Sequence, residues 1–301
     1  MSQKTKNTYR FYLVTLALTA IVTVALRTAA LFTVFDPEIG FYRTPTLSIA
    51  TAVILCATAV LLSVLTHELR ELFVFAPDYR DLPTLLSGSF LAIAFCFFAV
   101  LLVIGALPMA PAALVTALLA ALAALGGVPL FLVRIFNTNA HGTRQAMLTL
   151  VLAFFGVLYA AYLGFEDTIM IAAPAKLLAT AAWVSATLFL LGEARVALER
   201  PKWALHTCVT ALTALLFAAL AIPNLIYHAA SGSSLLGNTA HDFLALGFFL
   251  YALSRLCAVF ASARREETPE IRYATDRTPP TDTAGSDETS VEETNEKTTD
   301  R

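Results

Sequence analysis

The chain contains few charged residues. Asp, Glu, Lys and Arg make up 14% of its 301 residues, whereas soluble domains contain about 25%. Apolar residues make up 58%, compared with about 45–50% in soluble domains. A chain of this length cannot bury so much apolar surface in one water-soluble core. The composition therefore excludes a soluble globular protein and indicates an integral membrane protein.

Cysteine is scarce, and motifs that carry chemistry are missing. The four cysteines lie in separate apolar runs, outside any C-x-x-C or Cys/His pattern, at Cys56, Cys96, Cys208 and Cys257. The segment from His67 to Glu71 lacks the second histidine of the zinc-protease pattern H-E-x-x-H. The sequence contains no P-loop, nucleophile elbow or dinucleotide-binding turn. We therefore expect no enzymatic activity, no catalytic residues, no cofactor, no metal and no nucleic-acid partner.

Long apolar stretches dominate what is present. A hydrocarbon layer about 30 Å thick requires about 20 helical residues. Eight stretches approach or exceed that length, and Pro, Gly or charged residues separate them. They lie near 11–35, 47–66, 85–107, 112–133, 146–163, 171–192, 203–223 and 241–261. The sequence predicts an all-α polytopic transmembrane helix bundle of about eight spans in residues 11–262, in contact with the lipid bilayer.

The basic residues predict the topology, because Lys and Arg in short loops resist translocation. Placing the basic segment 1–10 in the cytoplasm assigns three basic residues to the outer side, namely Arg27, Arg43 and Lys176. It assigns thirteen to the cytoplasmic side, namely Lys4, Lys6, Arg10, Arg70, Arg80, Arg134, Arg144, Arg195, Arg200, Lys202, Arg255, Arg264 and Arg265. We therefore expect a multi-pass plasma-membrane protein with both termini in the cytoplasm.

The C-terminal segment has a different composition from the rest. Residues 266–301 hold eleven of the 22 acidic residues and almost no large apolar ones. Such a segment buries too little surface to offset the entropy of ordering. The sequence predicts a disordered, acidic cytoplasmic tail over 263–301. Two interpretations stay open: the tail binds a cytoplasmic protein partner, or it only keeps the chain solvated.

Basic residues recur at regular spacing. Arg70, Arg134, Arg195 and Arg255 are separated by 64, 61 and 60 residues. Glu68-x-Arg70 and Glu193-x-Arg195 also match at an offset of about 125 residues, which corresponds to four helices. One interpretation is a parallel four-plus-four helix duplication. The other is that any two spans and two short loops take about 60 residues, with basic residues at each cytoplasmic end.

Ionisable residues inside spans predict two candidate ligand or gate sites, because such residues are costly in a bilayer. Arg27, Lys176 and Asp242 lie at similar depth toward the predicted outer side, as does His241, which directly precedes Asp242. One hypothesis is that they meet in a cavity that suits an anionic ligand. The other is that the two cations extend to the headgroups and that Asp242 caps a helix start.

The second group lies toward the predicted cytoplasmic side. It contains Glu68, Arg70, Glu193 and Arg195, with His67, Arg134, Arg255 and His206 nearby. Residues two apart on a helix do not face each other, so pairing across the halves, Glu68 with Arg195 and Glu193 with Arg70, is one hypothesis. The other is a set of independent interfacial charges.

Two functional interpretations follow. A non-enzymatic multi-pass component, such as a sensor, scaffold or accessory subunit, fits the short outer loops, the few midplane charges and the acidic tail. A small secondary transporter or channel, with a site between two four-helix halves, fits the hypothetical repeat and the outer charged group. It also fits the fourth span, where Gly126-Gly127-Val128-Pro129 predicts a kink or break. A packed interior would favour the first interpretation, and a water-filled cavity the second.

Overall fold

The computed structural model describes residues 3–36, 41–70, 81–136, 142–165, 173–232, 235 and 239–265. These residues form eight α-helices and one small pair of β-strands. The helices are α1 (Gln3–Thr33), α2 (Thr46–Glu68), α3 (Leu82–Ala106), α4 (Pro111–Phe136), α5 (Thr143–Phe165), α6 (Pro174–Ala197), α7 (Trp203–Ser231) and α8 (Thr239–Arg265). The strands β1 (Phe35–Asp36) and β2 (Phe41–Tyr42) pair antiparallel after α1. The tail was predicted over 263–301, but residues 263–265 belong to α8; the rest of the predicted tail lies outside the described residues.

All eight predicted spans are confirmed. Each helix contains an apolar stretch long enough to cross a membrane, and the shortest helices have 23 residues, about 35 Å at 1.5 Å per residue. Proline at the first turn marks the start of α3, α4 and α6, where its missing N–H costs no helical hydrogen bond. The chain is an integral, multi-pass membrane protein.

Two helices continue past prolines at which the sequence predicted a kink, a break or a helix end. Of the kink or break expected near Pro129 in the fourth span, the break is absent, because α4 continues through this residue. The seventh span was expected to end at Pro223, and α7 instead continues to Ser231. Packed neighbouring helices in a membrane protein accommodate a backbone carbonyl that proline leaves unbonded. The extension of α7 places Asn224 inside a helix.

Six of the helices form a closed ring. Each helix from α3 to α8 packs on the next along the chain, and α8 packs back on α3. The remaining helices, α1 and α2, pack on one another and on α7, outside the ring. A four-plus-four duplication would give α2 and α3 a contact like that of α6 and α7. Within the described residues α2 has no comparable contact with α3, so the helix neighbours do not support the duplication.

The interior of the ring is filled with aromatic side chains. Seven of them, which we call the aromatic core, are at most 3% exposed: Phe95, Phe98, Phe155, Tyr159, Trp183, Phe217 and Phe248. They meet mostly edge to face, as in the 5.3 Å separation of the Phe155 and Trp183 ring centroids and the 5.2 Å separation for Trp183 and Phe248. Buried alanines from α3 to α8 bring the helix backbones close around this core.

Candidate functional site

Two clusters of buried polar residues lie at opposite ends of the bundle. We call the side where α1 begins and α8 ends the terminal side, and the other the opposite side. A ring contact between Tyr12 and Phe260, with centroids 5.8 Å apart, brings these two helix ends together. The Glu193 cluster lies toward the terminal side and consists of Arg134, Glu193, His206, Tyr251 and Arg255. The Arg27 cluster lies toward the opposite side and consists of Arg27, Asn224, His241 and Asp242. Along α8, Asp242 and Arg255 of the two clusters are about 20 Å apart, with the aromatic core between them.

Glu193 is the centre of the first cluster. Its side chain is fully buried and accepts hydrogen bonds from three other helices. Arg255 Nε donates to Oε1 at 3.0 Å, His206 Nε2 lies 3.1 Å from the same oxygen, and Arg134 Nη2 donates to Oε2 at 3.4 Å. Arg134 Nη1 also donates to the Tyr251 hydroxyl. The cluster therefore connects α4, α6, α7 and α8 through one carboxylate.

The contacts of Glu193 indicate which ring nitrogen of His206 donates to it. Because two arginines face Glu193, its carboxyl is ionised and acts only as an acceptor, so His206 Nε2 carries a proton. The other ring nitrogen, Nδ1, lies against the backbone of Gly192, where an added Cβ would collide with it. Gly192 therefore gives the imidazole room to reach Glu193.

The structure separates the terminal-side residues that the sequence grouped together. Glu193 is buried, whereas Arg195, two residues later, is exposed, because the two side chains point to different faces of α6. Glu68 and Arg70 are also exposed. Neither hypothesised cross-pair, Glu68 with Arg195 or Glu193 with Arg70, is among the ion pairs that the described residues form. Arg134, Arg255 and His206 take the place of Arg70 around Glu193.

The second cluster forms a hydrogen-bonded relay between three helices. Arg27 Nη2 on α1 donates to Asn224 Oδ1 on α7 at 2.9 Å. Asn224 Nδ2 in turn donates to Asp242 Oδ1 on α8 at 2.9 Å. Arg27 is 4% exposed, and Asn224 and Asp242 are at most 1% exposed. Two of the residues predicted to meet, Arg27 and Asp242, thus belong to one network, joined by an amide that the sequence analysis missed.

The relay continues to the aromatic core through His241. Trp183 Nε1 donates to His241 Nε2 at 3.2 Å, and an indole N–H can only donate. The imidazole therefore accepts at Nε2 and carries its proton on Nδ1, which lies 3.4 Å from Asp242 Oδ1. Asp242 thus accepts from Asn224 and faces the Nδ1 proton of His241.

Lys176 is the third predicted residue of this group. It is 2% exposed, in the first turn of α6, so its side chain is buried rather than extended to solvent. No hydrogen bond among those described above joins it to Arg27 or Asp242. Asn224 carried a signal that could have been used, because an amide directly after Pro223 in an apolar run is costly in a bilayer without a partner.

A cavity of about 330 Å³ lies beside Arg27. Residues from α1, β2, α2, α6 and α7 line it: Arg27, Ala30, Tyr42, Ser48, Thr51, Ala52, Leu55, Cys56, Pro174, Leu177, Leu178, Ala181 and Leu216. Burial raises the pKa of the Tyr42 hydroxyl, and the nearby Arg27 cation partly opposes this rise. The phenol is therefore neutral at pH 7 and can donate a hydrogen bond.

Comparison with known proteins yields no relative. Neither a protein-family model, nor a curated protein, nor a solved structure matches the chain.

Proposed function

We propose that the protein is a non-enzymatic multi-pass membrane component, of the sensor, scaffold or accessory-subunit kind. The observation that carries this proposal is the packed interior of the helix ring. The aromatic core and the buried alanines around it occupy the space through which a substrate would cross. A packed interior of this kind fits a sensor, scaffold or accessory subunit better than a transporter or channel.

The arrangement of the buried polar groups supports the same proposal. Glu193 is engaged by side chains from three other helices, and these contacts hold the helices together rather than surrounding an open space. A transport path for a polar substrate has polar groups at its binding sites, where they replace contacts with water. Between the two clusters the aromatic core fills the centre of the ring. The acidic segment from Glu266 onward supplies a candidate surface for a cytoplasmic protein partner, on the topology that the basic residues predict.

Thiol accessibility tests the proposal against a small transporter or channel. In a background without the four native cysteines, Ala186→Cys and Ala221→Cys place single thiols in the fully buried interior. Thr44→Cys, exposed in the segment between β2 and α2, is the matched positive control. The variants are reconstituted in proteoliposomes and treated with a membrane-impermeant thiol reagent.

We expect rapid labelling of Thr44→Cys and no labelling of the two interior thiols. Labelling of Ala186→Cys or Ala221→Cys at a rate comparable to the control would mean that water reaches the interior. That result would overturn the proposal and favour a transporter or channel.

A further inference from the structure

We propose that the cavity beside Arg27 binds a membrane lipid with an anionic headgroup, one acyl chain of which enters between α2 and α6. The cavity lies at the junction between the ring and the α1–α2 pair, so lipid binding there concerns a different part of the molecule from the aromatic core. It does not depend on whether the interior of the ring conducts. The observations that carry it are the shape of the cavity, the order of its lining residues and the buried cation.

Two helices each present one continuous face to the cavity. The residues of α2 that line it follow the spacing of a single helix face: Ser48, Thr51, Ala52, Leu55 and Cys56. The lining residues of α6 have the same spacing: Pro174, Leu177, Leu178 and Ala181. Both helices pack on neighbours, α2 on α1 and α7 and α6 on α5 and α7. The cavity therefore has the form of a slot about 12 Å long between two helices.

The lining changes from polar to apolar along the slot. Tyr42, Ser48 and Thr51 lie at the opposite-side end, next to Arg27, whereas Leu55, Cys56 and Leu216 lie deeper in the bundle. This order matches the polarity of a lipid whose headgroup lies near the membrane surface and whose chain extends toward the midplane. A water-soluble anion would leave the apolar part of the slot unfilled.

Arg27 provides the recognition group. Arg27 is almost fully buried and lines the cavity, and within the described part of the chain its Nε has no hydrogen-bond partner. A buried donor without a partner is costly, and a charge in this position more so. A phosphate or carboxylate oxygen in the cavity would accept a charge-assisted hydrogen bond from Arg27. Tyr42 could donate a second hydrogen bond to the same headgroup.

Water alone is a poor occupant for the deeper part of the slot. A buried water needs two to four polar partners, and apolar cavities of this kind stay dry or take up apolar molecules. The volume of about 330 Å³ lies at the lower end of the range of small-ligand sites. An acyl chain fills the apolar part of the slot, while the headgroup meets the cation.

Lipid retention in defined vesicles tests the proposal. The full chain is reconstituted in phosphatidylcholine vesicles containing a minor fraction of phosphatidylglycerol, extracted in a mild detergent, and analysed by native mass spectrometry. We expect one tightly held phosphatidylglycerol per chain in the wild type. Arg27→Gln should retain it about tenfold less, because a hydrogen bond to a charged group is lost, and Arg27→Lys should retain it partly.

Filling the slot should have the same effect without changing the charge. Ala181 lines the cavity, so Ala181→Phe should displace the acyl chain and reduce retention by a similar factor. It also keeps the test decisive if Arg27→Gln fails to fold. Val184→Phe on the exposed part of α6 and Arg43→Gln, whose side chain is 74% exposed, are the matched controls and should behave like the wild type.

A second cavity could bind the same lipid, so its basic residues are replaced in a parallel set of variants. Arg195 and Lys202 line a smaller cavity between α6 and α7, so all variants are repeated in an Arg195→Gln/Lys202→Gln background, where the expected differences should persist. Inorganic phosphate is added as a competitor, and we expect no displacement. Equal retention of phosphatidylcholine, displacement by phosphate alone, or wild-type retention in Arg27→Gln and Ala181→Phe would each overturn the proposal.

Discussion

The Glu193 cluster and the Arg27 cluster bury comparable charges in the same bundle, but they satisfy them differently. Glu193 is surrounded by donors from three other helices, all members of the ring. Arg27 has one described side-chain partner, Asn224, and borders a cavity. The comparison indicates that the first cluster fixes the positions of helices, whereas the second leaves space for another molecule.

The difference follows from where the helices lie. The Glu193 cluster belongs to α4, α6, α7 and α8, and each of these has two ring neighbours. Arg27 belongs to α1, which lies outside the ring and packs on α2 and α7. Inside the ring, close packing allows charged groups to reach each other directly. At the junction, α2 and α6 line a cavity rather than packing together, and a cation facing that cavity needs a partner from elsewhere.

The largest loss of stability is expected in the Glu193 cluster. Glu193→Gln leaves Arg134 and Arg255 buried without their carboxylate, and breaking a buried ion pair costs about 3–5 kcal/mol. We expect the free energy of unfolding in mixed micelles to fall by about this amount. Glu68→Gln, on the exposed end of α2, is the control and should change stability by less than about 0.5 kcal/mol. Equal stability of the two variants would mean that Glu193 does not hold the helices together.

A smaller loss of stability is expected in the Arg27 cluster. Asp242→Asn removes the anion of the relay, and a hydrogen bond to a charged group contributes about 1.5–3 kcal/mol. We expect a decrease of about this size in the same assay, because the cavity lets Arg27 regain solvent or lipid contacts. The control is Arg43→Gln, which removes a side chain that is 74% exposed from its pair with Asp36, an interaction worth about 0–1 kcal/mol. If Asp242→Asn cost more than Glu193→Gln, the proposed contrast between the clusters would be wrong.

The smallest effect tests the packing that positions His206. Gly192→Ala pushes the imidazole away from Glu193. Overpacking costs about 1–3 kcal/mol, and alanine in a helix regains about 0.5–1 kcal/mol, so we expect a net loss of about 1 kcal/mol. Gly105→Ala is the matched control, because an added Cβ there meets nothing within 4 Å. It should be neutral or slightly stabilising, and a similar loss in both variants would exclude a specific role for Gly192.

Sequence reasoning found part of each cluster. Arg134, Arg255 and His206 were grouped with Glu193 because they share a predicted depth, and Arg27 was grouped with Asp242 for the same reason. Depth follows from position along a span. The pairing of the charges could not be predicted from position along a span, because Glu68-x-Arg70 and Glu193-x-Arg195 have the same local pattern but lie on helices with different neighbours. Asn224 and Tyr42 were missed because neither carries a charge.

The sequence by itself determined the membrane environment, the number of spans and their approximate bounds, since the thickness of the hydrocarbon layer sets the length of each apolar run. Only the tertiary structure decided which helices form the ring and which charges meet. Hydropathy along the chain indicates how deep a residue lies in the membrane, but not which neighbouring helix its side chain faces. The slot beside Arg27 exists because α2 and α6 both pack on α7 while remaining apart, which no single span encodes.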